Sequence, residues 1–397
     1  MKNRIALLVF GSLLSVGSLH ALGCGAEPAG ESIERETGAL GPSVPAYGAM
    51  FGDGWLGSSN LYLAGSNGLG YARANFIYVA GHEYSDPITD FDWVVENAAA
   101  AGVTVLPVLM KAQDGKAARL DLHSQDERGG WERFTTLLAK RYGPAGSFWG
   151  EHEGLVPYRP IQAWEIWNEP NLEEFGDLSP KAFRITLRIA RRGLRTVDPE
   201  ARIVLGGLSF SGGDAMDYLE RVAATKSSRC LFDAVAIHPY AGTPEGALER
   251  VEKTVDKLRD LGLHGKGGGK DVGIWITEIG WAIASADWPL CEKMVEGECK
   301  QKAPFTVKDA ETQADYLERF ARGIEERRAA WHLGPTIWYA FSDLPLPDGE
   351  EQTWWRHCGL LEMDAAGQPA AARPSFWRAA DIAAARPSVA LPPVRCP

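Results

Sequence analysis

From about residue 46 onward the sequence keeps one rhythm, in which short apolar runs alternate with longer amphipathic ones. The runs are Ala46–Phe51, Tyr71–Val79, Val103–Leu109, Ile161–Trp167, Arg202–Leu208, Ala234–His238, Val272–Thr277 and Thr336–Phe341. Each is rich in Val, Ile, Leu or aromatic residues and has the length of a strand covered on both faces, which is how strands of a parallel sheet read. The stretches between them read as helices. Ser179-Pro180 supplies an N-cap and a first-turn proline, and Phe183, Leu187, Ala190 and Leu194 then share one face. Thr306 and Asp309 approximate a capping box ahead of the stripe Ala314, Leu317, Ala321 and Ile324. Phe91–Ala101, Trp131–Lys140, Ala215–Ala224, Gly246–Leu261 and Phe376–Ala385 read in the same way. Eight strands with interleaved helices are more than a doubly wound sheet usually carries. The predicted fold is α/β, a (β/α)8 TIM barrel forming a single catalytic domain over residues 46–397.

The segment before the barrel has a different character. Lys2 and Arg4 precede the apolar stretch Ile5–Leu19, which is short for a spanning helix and shaped like the core of a signal peptide. Residues 1–23 are therefore predicted to be an export signal. Residues 24–45, rich in Gly, Glu, Pro and Ser, are predicted to be a flexible tether. Ala21-Leu22-Gly23-Cys24 resembles a bacterial lipoprotein box, with Ala where Leu usually stands. The expected location is secreted or cell-surface, with a lipid anchor if Cys24 is acylated. No later segment is apolar enough to cross a bilayer.

The charge balance narrows the partners. With 52 acidic and 41 basic residues the chain carries a net charge of −11, which disfavours nucleic acid, whose phosphates need a basic face. A neutral sugar polymer is compatible with such a surface, and a monomer is expected. Six cysteines fit an oxidising compartment. Cys291 and Cys299 share one loop, and Cys230 and Cys396 fall at the same end of the predicted barrel. Either pair could form a disulfide, and unpaired buried thiols fit as well. Cys358 is left over if Cys24 is acylated. Neither a Cys-x-x-Cys nor a His-rich spacing points to a metal, and no cofactor is expected.

In a (β/α)8 barrel the chemistry sits where strands end and βα-loops begin. The fourth run ends Trp167-Asn168-Glu169-Pro170-Asn171, and the seventh ends Trp275-Ile276-Thr277-Glu278-Ile279-Gly280-Trp281. Each carries a Glu followed within two residues by Pro or Gly. Two rigid carboxyl groups across a barrel mouth are what hydrolysis of a glycosidic bond requires, one protonated to assist the leaving oxygen and one ionised to attack. Neighbouring side chains on a strand point to opposite faces, so Asn168 and Glu169 can both reach the mouth only if the strand breaks there, as Pro170 favours.

These two motifs together resemble clan A of the glycoside hydrolases, in particular family 39 and its neighbours in families 5 and 30. The resemblance extends from Tyr71-Ala72-Arg73 to Trp338. It implies a (β/α)8 barrel with Glu169 as acid/base at the end of strand four and Glu278 as nucleophile at the end of strand seven. It also implies that Asn168 contacts the sugar 2-hydroxyl and that Arg73 pairs with the nucleophile. His238 and Tyr240, in His238-Pro239-Tyr240, would orient the nucleophile and line the subsite beside it, and Trp338 would lie as a platform under the reacting sugar. The implied activity is retaining hydrolysis of O-glycosidic bonds in a β-linked oligo- or polysaccharide, without a cofactor. A transglycosylase is an alternative, and so is a non-catalytic surface glycan-binding lipoprotein, although such proteins usually lack one of the carboxylates. Of the fourteen tryptophans, Trp167, Trp281, Trp288, Trp338, Trp354 and Trp355 fall at or beyond strand ends, where indole faces can pack on sugar rings. The loops 279–305 and 342–373 are expected to wall the cleft.

Overall fold

The structure is a computed structural model that describes residues 43–51, 58–113, 116–211, 214–265, 271–285, 291–295, 298–344, 353–363 and 369–391. The predicted export signal, Cys24, Trp288 and Cys396 lie outside the described residues. Eight parallel strands close into a barrel: β1 Tyr47–Met50, β2 Tyr71–Tyr78, β3 Thr104–Gln113, β4 Ala163–Asn168, β5 Arg202–Ser209, β6 Ala234–His238, β7 Gly273–Ile279 and β8 Leu333–Trp338. Each pairs with the next in sequence, and β8 returns to β1 through Thr336–Tyr47 and Trp338–Ala49. The predicted runs and the strands agree to within a few residues, because strands buried on both faces are continuously apolar.

A helix follows each strand: α1 Ser58–Ser66, α2 Asp92–Ala100, α3 Gln125–Tyr142, α4 Pro180–Val197, α5 Ala215–Val222, α6 Pro244–Asp260, α7 Ala310–Arg327 and α8 Pro374–Ala385. Their starts follow from capping chemistry. Ser124, Ser179, Asp214, Thr243 and Asp309 each accept a first-turn backbone N–H, and Pro180 and Pro244 occupy positions that have no N–H to satisfy. Asp309, rather than Thr306, is the cap of α7; the Thr306 hydroxyl donates to the Pro304 carbonyl instead. Helix α1 has no sequence-based counterpart, since Ser58–Ser66 lacks a clear apolar stripe.

The core lies between strands and helices, with Trp131, Phe134, Phe183, Leu219, Val251 and Phe320 packed fully against the barrel. Ser43–Pro45 pairs antiparallel with Ser388–Ala390, so three residues read from sequence as tether belong to the folded domain. Their short, proline-ended run carries no strand signal of its own. Cys230 is disulfide-bonded, and Cys358 is a buried free thiol. Cys291 and Cys299 lie on the two strands of an antiparallel hairpin, Cys291–Val295 and Glu298–Lys302. Among the described residues no helix is long and apolar enough to cross a membrane.

Candidate active site

The break expected at the end of β4 is present, and it begins one residue before Asn168. Trp167 has φ 77 and Glu169 φ 40, both in the left-handed region that bulky side chains rarely occupy. Such a conformation costs on the order of 1–3 kcal/mol per residue, and packing must hold it. The turn at Trp167 swings the indole out beneath α3, where its Nε1 donates to the Phe175 carbonyl at 2.8 Å and its ring meets Trp131 edge-on. Asn168 and Glu169 then both face the mouth. Gly206 on β5 makes room for this kink, since a Cβ there would lie 2.1 Å from the Trp167 carbonyl oxygen.

Strand β7 solves the same problem with a bulge. Between the pairs Thr336–Ile276 and Trp338–Ile279 it carries one more residue than β8. An extra residue re-aims the side chains around it. Thr277 and Glu278, adjacent in sequence, therefore both reach the cluster inside the barrel.

The cluster is organised on Arg73 of β2, which is 1% exposed. Its Nη1 donates to Glu278 Oε1 at 2.5 Å, its Nη2 to Asn168 Oδ1 at 2.7 Å, and its Nε to Glu165 Oε2 at 2.7 Å. Burial disfavours the cation, but the facing carboxylates of Glu165 and Glu278 outweigh this and raise its pKa above the ordinary value. The guanidinium is thus a fixed positive charge. Glu278 also accepts from the Tyr240 hydroxyl at 3.0 Å. The Tyr240 pKa lies well above 10, first through burial and then through Glu278 beside it, so the phenol remains a donor.

Glu169 has different company. Its Oε1 lies 2.9 Å from His238 Nδ1, and the same nitrogen lies 3.6 Å from Glu278 Oε2. The other ring nitrogen, Nε2, faces the Thr277 hydroxyl at 3.1 Å. One carboxylate is gripped by a cation and a phenol, and the other meets an imidazole. Among the described residues, no group of three or more His, Cys, Asp or Glu side chains is arranged to hold a metal.

The structure brings together six of the seven residues singled out from sequence: Glu169, Glu278, Arg73, Asn168, His238 and Tyr240. Trp338 is elsewhere. Its ring stacks on Tyr47 at 5.9 Å and meets Phe320 of α7 at 6.4 Å, so it faces the helix layer and is 1% exposed. Side chains alternate along β8, and the next residue, Tyr339, takes the mouth side. Half-buried Tyr339 meets Tyr240 edge-on at 6.2 Å, and its pKa is pushed well above 10 by burial and then by Glu278, Cys358 and Glu169. Phe305 and Trp354, from the loops expected to wall the cleft, pack around Tyr240 at 5.7 and 4.8 Å. Trp281 turns away from the mouth, with its Nε1 donating to the Ala241 carbonyl at 2.8 Å.

Two members of the cluster had no role assigned from sequence, Glu165 and the hydroxyl of Thr277. Glu165 is fully buried in the middle of β4. A carboxylate inside an apolar strand was the available signal, because such a group persists only when paired.

Fold and cluster together define a (β/α)8 barrel with two carboxylates converging at the C-terminal mouth. The solved structures that share this fold include a family 39 glycoside hydrolase from the gut symbiont Bacteroides cellulosilyticus WH2, at 20% identity and TM-score 0.57 over 86% of this chain and 64% of that one. They also include a monomeric β-xylosidase from Caulobacter crescentus CB15, at 14% identity and TM-score 0.55 over 84% and 66%. A glucosidase from Croceicoccus marinus matches at 11% identity and TM-score 0.58, over 86% and 67%. The chain spans about two thirds of the length of these proteins. No protein-family model matches the sequence, and no curated protein matches it.

Proposed function

We propose that the chain is a retaining glycoside hydrolase acting on a β-linked oligo- or polysaccharide, with Glu278 as nucleophile and Glu169 as acid/base. The observation that carries this reading is the unequal treatment of two carboxylates that share one imidazole. Arg73 and Tyr240 both stabilise negative charge on Glu278, whereas among the described residues Glu169 pairs with no Arg or Lys and faces His238. Two carboxyl groups in different environments divide the acid and base roles. Their spacing supports retention. Nδ1 of His238 is 2.9 Å from one and 3.6 Å from the other, and the sum of these distances bounds the gap between the nearest oxygens. Oxygens that approach one imidazole nitrogen this closely are compatible with the ~5–5.5 Å carboxyl separation of retaining sites.

In the first step a Glu278 oxygen bonds to the anomeric carbon while Glu169 gives its proton to the departing glycosidic oxygen. In the second, water attacks the same carbon, Glu169 takes its proton, and the bond to Glu278 breaks. Asn168, held by Arg73, is placed to meet the 2-hydroxyl, a hydrogen bond that strengthens in the transition state. Tyr339, Phe305 and Trp354 supply apolar faces for the sugar rings. The sugars named for proteins of this fold differ among themselves, xylosidase in one case and glucosidase in another, so the substrate class is left at β-linked glycans. Export through residues 1–23, with a lipid anchor if Cys24 is acylated, belongs to the same proposal.

A panel of aryl β-glycosides and β-linked polysaccharides tests it. Wild type is expected to hydrolyse at least one with retained anomeric configuration, and Glu278→Gln to abolish that turnover. Full activity in Glu278→Gln, or an inverted first product by NMR, would overturn the assignment.

A further inference from the structure

We infer that Thr277 and Glu165 fix which nitrogen of His238 carries hydrogen, so that the imidazole accepts from Glu169 and keeps the catalytic proton on that carboxyl. This rests on the reading of Glu169 as acid/base and adds two positioning residues to it.

One chain of contacts runs from Glu165 through Thr277 and His238 to Glu169. Glu165 is fully buried, and both its oxygens are served by donors. Oε2 accepts from Arg73 Nε at 2.7 Å, while Oε1 accepts from Arg73 Nη2 at 3.1 Å, from the Gly207 N–H at 3.0 Å and from Thr277 Oγ1 at 3.0 Å. A carboxylate in a two-pronged contact with a guanidinium can only accept. The single Thr277 hydroxyl proton is therefore directed at Glu165. With that proton committed, Oγ1 has only lone pairs to offer His238 Nε2, 3.1 Å away, so Nε2 must be the protonated nitrogen. A neutral ring in this tautomer presents a lone pair at Nδ1. Facing it at 2.9 Å is Glu169 Oε1, and the contact is a hydrogen bond only if the carboxyl carries the proton.

The ring is held in this orientation. A Cβ on Gly207 of β5 would lie 2.0 Å from His238 Nε2, so the imidazole fills the space that any side chain at 207 would take. Among the described residues, the charged and titratable groups that face it are Glu169 beyond β4, Glu278 on β7 and Tyr240 beyond its own strand, with Glu165 and Arg73 behind Thr277. The arrangement serves both half-reactions. Before the first, it retains the proton that the leaving oxygen needs. After it, the ionised Glu169 faces a lone pair, and this repulsion favours taking a proton from the incoming water.

The test reads the tautomer directly. In full-length protein labelled with 15N-histidine, with His238 assigned by comparison with His238→Gln, the ring should carry its hydrogen at Nε2 and not at Nδ1. Thr277→Val, which keeps the shape and removes the hydroxyl, should move hydrogen to Nδ1, and Thr277→Ser should restore the wild-type pattern. In kinetics, Thr277→Val should lose about tenfold or more in kcat/KM on an alkyl glycoside, because an Nδ1–H donor favours the carboxylate over the acid that the leaving oxygen needs. On a dinitrophenyl glycoside, which needs no proton to leave, the loss in kcat/KM should be several-fold smaller than on the alkyl glycoside. A wild-type ring protonated at Nδ1 or at both nitrogens would overturn the inference even if Thr277→Val fails to fold, and so would an unchanged tautomer in folded Thr277→Val. Failure of every glycoside would count against the proposed function instead, since the NMR result does not depend on turnover.

Discussion

Arg73 and Glu278 form a contact of 2.5 Å in which the guanidinium is almost completely enclosed. The same cation binds Glu165, so one positive charge serves two buried carboxylates from different strands. Its removal would take the guanidinium from both.

Arg73→Gln is accordingly expected to destabilise the fold by about 3–5 kcal/mol, the usual cost of stranding one half of a buried ion pair, and to abolish turnover. Arg73→Lys keeps the charge but cannot reach Glu165, Glu278 and Asn168 together, and should fall between. Thermal and urea denaturation alongside kcat check this. A Gln variant with wild-type stability would show that the carboxylates are neutralised some other way.

Tyr240→Phe removes one donor to Glu278 and little else. A hydrogen bond to a charged group is worth ~1.5–3 kcal/mol, so kcat/KM should fall about ten- to a hundredfold. Burial and the adjacent Glu278 hold the phenol neutral well past pH 10, so ionisation of the phenol itself adds no pH dependence to the comparison below that value.

Glu169→Ala should lose roughly 10²–10⁴-fold on substrates with poor leaving groups and much less on activated aryl glycosides. Added azide should partly restore the activated reaction and yield a glycosyl azide that chromatography can detect. Absence of that product on every substrate would count against Glu169 as the acid/base.

Tyr339 and Trp338 should separate cleanly. Tyr339→Ala opens the mouth beside the carboxylates and should impair kcat/KM with little change in melting temperature. Trp338→Ala empties a packed site against Tyr47 and Phe320 and should cost about 3–5 kcal/mol of stability. The reverse pattern would place the sugar platform on Trp338 after all.

Stability should fall on the alkaline side. Burial pushes the hydroxyls of Tyr47, Tyr71, Tyr142, Tyr218, Tyr240 and Tyr339 above their ordinary value of 10. Beyond pH 10 the unfolded chain releases these protons while the folded chain keeps them, so unfolding is favoured as pH rises. The stabilisation is complete below pH 10 and is lost as pH climbs towards the raised folded values. Melting temperatures between about pH 9 and pH 11, followed with phenolate absorbance, should show the two changing together. A flat profile would mean that these phenols ionise as readily folded as unfolded.

Sequence and structure part company at identifiable residues. Motifs placed Glu169 and Glu278 at strand ends, and Pro170 together with period-two alternation was enough to require a break beside Asn168. Alternation could not say which of Trp338 and Tyr339 faces the mouth, because a tryptophan packed under a helix and one beneath a sugar look alike in sequence. Glu165 was readable as an anomaly, an acid in the middle of an apolar strand, but its partner could not be named.

The sequence by itself determined the eight strands, seven of the helices between them, the Ser179-Pro180 start of α4, and the position of Glu169 and Glu278 at strand ends. These are local properties, set by periodicity, capping chemistry and short motifs. Only the tertiary structure decided the left-handed turn at Trp167, the extra residue in β7 and the convergence of Arg73, Glu165, Thr277 and His238. Those depend on how strands far apart in the chain register against one another, and a one-residue shift there exchanges the inner and outer faces.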